Sequence, residues 1–183
     1  MHALEIRDAI PADFAAICAL NRLEVQYTSE MDLSRLEQLH SLASFHKVVY
    51  QDGILAAFIL AMSAEAPYEN ANFSWFAHKF KSFLYIDRIV VSPQHRNAHL
   101  GSLLYNKVFH YAKDAGIPVV TCEYNLLPPN EPSRSFHERF GFKEQGGQWV
   151  AGGTKYVSLQ AAETARFKAE HPPLDSLLKQ HVF

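Results

Sequence analysis

Cysteine is scarce. Two cysteines, Cys18 and Cys122, in 183 residues are too few for a disulfide-stapled domain and lack the paired spacing of a zinc site. A reducing compartment is expected. A basic excess is missing as well: 17 Lys+Arg stand against 19 Asp+Glu, for a formal net charge of -2. Nothing is left over to neutralise a phosphate backbone or an anionic bilayer, so neither nucleic acid nor membrane is an expected partner. No apolar run nears the roughly 20 residues that span a bilayer; the longest uncharged one covers residues 54–64. The opening Met-His-Ala-Leu-Glu-Ile-Arg-Asp carries charge where a secretory signal needs an apolar stretch. A cytoplasmic location follows as the expectation, and the Asn72-Phe73-Ser74 sequon has no role there. Gly-x-Ser-x-Gly and Walker sequences, internal repeats and low-complexity segments are all lacking.

What is present is an ordinary globular balance, 48% hydrophobic and 20% charged, in a length that suits one domain of about 100 to 200 residues. Residues 1–160 read as that domain, and 161–183 as a polar tail broken by Pro172-Pro173 that packs on it or extends from it. Leu4–Arg7 reads as a strand. Pro11 and Asp13 open a helix with Phe14, Ile17, Cys18 and Val25 on one stripe, and Asp32 is placed to cap a second helix carrying Leu33, Leu36, Leu39 and Ala43. His46–Tyr50 and Ile54–Met62 flank Gln51-Asp52-Gly53, a hairpin signal. Phe83–Val91 is a strand, a helix follows from Leu100 to Tyr111, and Val119–Tyr124 is a further strand. Pro132–Phe140 is a short helix, and two strands follow around Gly146-Gly147 and Gly152-Gly153. The order predicts an α/β fold with a mixed, mostly antiparallel sheet and helices on both faces. The strand-helix-strand from Phe83 to Tyr124 demands one parallel pair, and the site is expected at the carboxyl ends of that pair.

The run from Tyr85 to Tyr105, Tyr-Ile-Asp-Arg-Ile-Val-Val-Ser-Pro-Gln-His-Arg-Asn-Ala-His-Leu-Gly-Ser-Leu-Leu-Tyr, resembles the coenzyme-binding motif of the GNAT acetyltransferase superfamily. Asn130 followed by Ser133-Arg-Ser-Phe-His-Glu-Arg-Phe-Gly-Phe resembles the segment that comes next in that family, and the overall look is that of its bacterial single-domain members. A loop opening into a helix is in any case an anion cradle, because it offers unpaired N–H groups and the positive end of a dipole. By the resemblance, Asn97, Ala98, His99, Leu100, Gly101 and Ser102 hold the pyrophosphate of acetyl-CoA, Arg96 adds a cation beside it, the backbone of Ile89, Val90 and Val91 pairs with the pantetheine amides, and Asn130 contacts the coenzyme. The family pattern has glycine at the positions of Asn97 and His99, where this chain keeps only Gly101. Asn and His tolerate positive φ better than most residues, so the loop can still close.

Acetyl transfer to an amine needs a base for the ammonium proton, stabilisation of an oxyanion, and an outlet for the thiolate. Glu123 sits near the end of its strand, where ribosomal-protein N-terminal acetyltransferases of this superfamily carry a Glu assigned as base; strand alternation puts it on one face with Thr121, and Cys122 with Tyr124 on the other. His137 stands where the family has a general-acid Tyr, which makes it the expected acid. Tyr68, Trp75 and Phe76 belong to an aromatic stretch, Tyr68–Phe83, that walls an acceptor pocket, forms a homodimer face or packs in the core. His95 and His99 lack the further ligands of a metal site, so no metal is expected. The expected function is an acetyl-CoA-dependent N-acetyltransferase acting on a small-molecule or peptide amine; the alternative is a non-catalytic acyl-CoA sensor.

Overall fold

The computed structural model describes residues 4–96 and 98–169. Its Asp52-Gly53 turn follows the sequence signal: both φ angles are positive, 53° and 78°, and Gln51 pairs with Ile54 across it. This is the two-residue turn whose twist matches that of the strands it joins, and the second position suits glycine. The turn links β2 (Phe45–Gln51) to β3 (Ile54–Ser63). Outside them lies β1 (Leu4–Asp8), and on the inner side β4 (Leu84–Val91) runs antiparallel to β3. The crossover helix α4 (Leu100–Asp114) leads to β5 (Val119–Leu127), which is parallel to β4. The hairpin of β6 (Lys143–Val150) and β7 (Lys155–Glu163) completes a seven-stranded sheet in the order β1-β2-β3-β4-β5-β7-β6.

Helices cover both faces. Phe14, Ile17 and Leu20 of α1 (Phe14–Leu23) and Leu36 and Leu39 of α2 (Leu33–Leu42) pack with Phe58, Leu60 and Tyr85 on one face. Leu104, Val108 and Ala112 of α4 pack with Ile59, Ile86, Val120 and Cys122 on the other. Helix α5 (Glu131–Arg139) lies against this second layer, with Phe136 packed on it. Asp32 caps α2 as expected, accepting from the Arg35 amide at 2.7 Å.

The structure adds to some expectations and corrects others. The aromatic stretch holds a helix, α3 (Ala71–Lys79), capped by Asn70, whose side chain accepts from the amides of Asn72 and Phe73. Phe73 and Phe76, three positions apart, turn their rings into the core beside Phe83 and Tyr85. Val25 lies beyond the end of α1. Strand β5 continues past Tyr124 to Leu127. The domain limit expected at residue 160 falls inside β7, because Ala161 and Ala162 keep up the pairing with Lys143 and Val120. Past β7, Phe167 stacks on Phe109 with centroids 4.4 Å apart. The rest of the expected tail, 170–183, lies outside the described residues.

Candidate active site

The β4–β5 pair is joined at two positions, Leu84 with Val120 and Tyr85 with Thr121, although both strands run on for several residues. Beyond Tyr85, β4 stays paired to β3 alone, so its other edge has backbone groups to offer. A cavity of about 520 Å³ opens between the parting strands. It lies at their carboxyl ends, where a site in an α/β sheet is expected.

Glu123 reaches this cavity from β5, on the side of α3, and is half-buried there. The Tyr85 hydroxyl donates to its Oε1 at 2.9 Å. Its Oε2 is buried with no hydrogen-bond partner among the described residues. Burial, reinforced by the nearby Asp87 charge, pushes the carboxyl pKa up to about 8; the Tyr85 hydroxyl and the Asn72 amide pull the other way. Asp87 is held in turn by the Tyr68 hydroxyl at 2.5 Å and by Arg88 Nε at 2.7 Å. Asn72, in the first turn of α3, accepts from Gln148 Nε2 at 2.6 Å, which ties α3 to β6 beside the carboxyl.

His137 occupies the opposite side of the cleft, on α5. Its Nδ1 lies 2.6 Å from the Ser133 carbonyl, which can only accept, so Nδ1 carries the proton; Nε2 then accepts from the Tyr105 hydroxyl at 2.8 Å. Burial lowers its pKa to about 4. A neutral ring with both nitrogens committed has no proton to aim into the cleft at neutral pH. This geometry does not serve the acid role expected of His137; the ring instead holds the Tyr105 hydroxyl and stacks on Tyr124 at 5.8 Å.

At the start of α4, His99 adopts the left-handed conformation, φ 57° and ψ 16°. This is the position where the motif has glycine, and a non-glycine residue holds it at a cost of about 1 kcal/mol. Gly101 sits in a tight space that the sequence did not reveal: a Cβ there would lie 3.3 Å from the Phe136 ring and 3.8 Å from Val91. Asn97 lies outside the described residues. Ala98 is exposed, while the side chains of Leu100 and Ser102 are buried, so these two positions present backbone groups to an anion. Arg96 reaches away from the turn to an ion pair with Glu24 at 2.5 Å.

Of the expected site residues, Ile89, Glu123, Asn130, His137 and Tyr68 line the cavity. Val90 is buried in the α1–α2 layer and Val91 packs toward α4, which leaves their backbone as the available part. Asn130 caps α5 by accepting from the Ser133 amide at 3.3 Å. Trp75 and Phe76 are not in the cavity wall: the Trp75 ring lies over Gly146, and Phe76 is fully buried in the core. The sequence reading missed Tyr85, Asp87, Asn72 and Tyr105. Tyr85 meets Glu123 only because Tyr85 pairs with Thr121, a register with no local sequence signal.

Comparison with known proteins agrees with this architecture. Residues 12–142 match the model of the acetyltransferase (GNAT) family, and the chain belongs to that family. Among solved structures, Ard1 from Thermoplasma volcanium superposes with a TM-score of 0.72 at 15% identity, over 88% of this chain and 97% of that one. The ribosomal-protein-S18-alanine N-acetyltransferase from Escherichia coli gives 0.68 at 13% identity, over 93% and 99%. YncA from Salmonella typhimurium, solved with its cofactor acetyl-CoA, gives 0.65 at 18% identity, over 94% and 99%. At these identities the likeness is one of fold.

Proposed function

We propose that the protein transfers the acetyl group of acetyl-CoA directly to the amine of an acceptor, with Glu123 as the base. The observation that carries this reading is the Glu123 carboxyl itself, half-buried in the cleft, with one oxygen buried and unpaired among the described residues and a pKa raised to about 8. A carboxylate so tuned is a far stronger base than an exposed Glu near 4.3, and its orphan oxygen is free to receive a proton directly or through one water. A protein that only sensed the coenzyme would have no use for so costly a group.

The cleft fits a pantetheine arm. The β4 edge from Ile89 to Val91 offers backbone partners, and the first turn of α4, from Leu100 to Ser102, offers N–H groups to a pyrophosphate. Asn130, in the cavity lining, is placed to add the contact that the family resemblance implies. Arg96 contributes less than expected, since Glu24 already engages it. Bound there, acetyl-CoA supplies an activated acyl group as its thioester. Glu123 takes the proton from the attacking amine, N–H groups along the β4 edge meet the charge that develops on the acyl oxygen, and the departing thiolate takes its proton from solvent rather than from His137.

Thiol release from acetyl-CoA, measured across a panel of amines, tests the reading. Glu123→Gln is expected to lower turnover by about 10² or more while acetyl-CoA still raises Tm. A loss below threefold would return Glu123 to a structural role.

A further inference from the structure

Five lysine and arginine side chains among the described residues are buried or half-buried: Arg7, Arg35, Lys47, Arg88 and Lys155. Three have carboxylate partners, Arg7 with Asp13, Lys47 with Asp8 and Arg88 with Asp87. Neither Arg35 nor Lys155 has one within ion-pair distance among the described residues, and both line the cleft that holds Glu123. Their partners are neutral. Arg35 donates to Gln38 Oε1 at 2.5 Å and to the Tyr68 hydroxyl at 3.5 Å, with its guanidinium over the Tyr68 ring. Lys155 donates to the carbonyls of Thr28 at 3.0 Å and Gln26 at 3.4 Å. Such contacts satisfy geometry and leave the charge uncompensated, which is costly for a group partly withdrawn from water.

The two cations belong to one connected wall. Arg35 touches Tyr68, Tyr68 donates to Asp87, Asp87 pairs with Arg88, Arg88 donates to Ser29, and next to Ser29 the Thr28 carbonyl accepts from Lys155. Lys155 thereby ties β7 to the α1–α2 connection and narrows the side of the cavity away from α4. Asp87 is already paired with Arg88; of the other two carboxylates of the lining, Glu69 is exposed and Glu123 is held by the Tyr85 hydroxyl, and neither lies within ion-pair distance of Arg35 or Lys155.

We infer that the acceptor is a small amine bearing its own acid group, a carboxylate or a phosphonate, which docks between Arg35 and Lys155 while the amine meets Glu123. The inference rests on the acetyl-transfer reading. A charge-assisted bond to each cation supplies orientation as well as affinity, and holds the amine at one depth in the cleft. An amine with no acid group leaves both cations as they are and gains neither.

The test is a matched panel assayed by thiol release from acetyl-CoA: amino acids against their amides, and aminoalkylphosphonic acids against the corresponding alkylamines. Acids are expected to exceed their neutral partners by about 10-fold or more in kcat/KM; the carboxylate and phosphonate arms show which acid group fits. Arg35→Gln with Lys155→Gln keeps neutral donors for Tyr68 and Thr28. It is expected to raise KM for acids about 10- to 100-fold, with neutral amines and the acetyl-CoA-induced Tm shift unchanged. Equal or better turnover of neutral amines overturns this inference and leaves the transferase standing, as does an equal loss on both series in the double variant. Absence of turnover with every amine, while acetyl-CoA still binds, removes the transferase reading and this inference together.

Discussion

Removing one hydrogen bond from the base should move the pH profile by an amount the structure sets. The Tyr85 hydroxyl donates to Glu123 Oε1 at 2.9 Å, and Tyr85 has no solvent exposure. Tyr85→Phe deletes that oxygen and little else. A hydrogen bond to a charged group contributes about 1.5 to 3 kcal/mol, and one pKa unit corresponds to about 1.36 kcal/mol. Since the bond favours the ionised carboxyl, losing it raises the Glu123 pKa by about one to two units from its starting point near 8. Glu123 must be ionised to accept a proton, so the acidic limb of kcat/KM against pH moves to higher pH by the same amount. Near neutral pH this reads as a loss of about 10- to 100-fold, recovered as the pH is raised. Steady-state thiol release from acetyl-CoA over a pH series measures it. A limb that does not move, or a loss that is the same at every pH, would refute Glu123 as the titrating base.

Three further outcomes follow from the buried groups. Glu123 holds its proton up to about pH 8 when folded and to about 4.5 when free, so folding stability falls as pH rises through that window and stays low above it; Glu123→Gln should gain Tm over the wild type at pH 9 relative to pH 5, even as turnover is lost. His46, whose Nδ1 lies 2.9 Å from that of His40, has a pKa lowered by burial to about 4 from 6.5, so its share of stability is present above 6.5 and lost as pH falls toward 4. His46→Phe should flatten that acid-side decline by up to about 1.4 kcal/mol per pH unit in chemical denaturation, and an unchanged slope would count against it. Gly101→Val places its branch on the Phe136 ring and should abolish most of the Tm rise given by acetyl-CoA; a full shift in the variant would detach the α4 turn from coenzyme binding.

The fold was legible where a local pattern is sufficient for an element. Asp52-Gly53 specified its hairpin, Asp32 its helix, and the two motifs the crossover helix α4 and the later helix α5. Helix α3 escaped because its aromatic residues resemble a strand or pocket wall, and the helical cue, Asn70 as cap with Phe73 and Phe76 on one face, is short. The site was legible one residue at a time and not as a set. Glu123 could be placed on its face by alternation, but its partners come from β4 and α3 through a register and a packing angle that no local run encodes. His137 could be matched to a family position, while its protonation is fixed by the Ser133 carbonyl one turn back on its own helix and by the Tyr105 hydroxyl from the facing side of α4, a tertiary contact. Arg35 and Lys155 carry no local signal because a lone charge in sequence reads as solvated surface, and only the packed structure shows each half-buried without a counter-charge among the described residues.

The most direct measurement of the central claim is a crystal structure with acetyl-CoA. The account predicts the pantetheine arm in the gap between β4 and β5, its amides paired with the backbone of Ile89–Val91, the pyrophosphate on the first turn of α4, and the thioester facing the cavity that holds Glu123. Coenzyme bound elsewhere on the protein, or a thioester turned away from Glu123 with the carboxyl still sealed from it, would contradict the account.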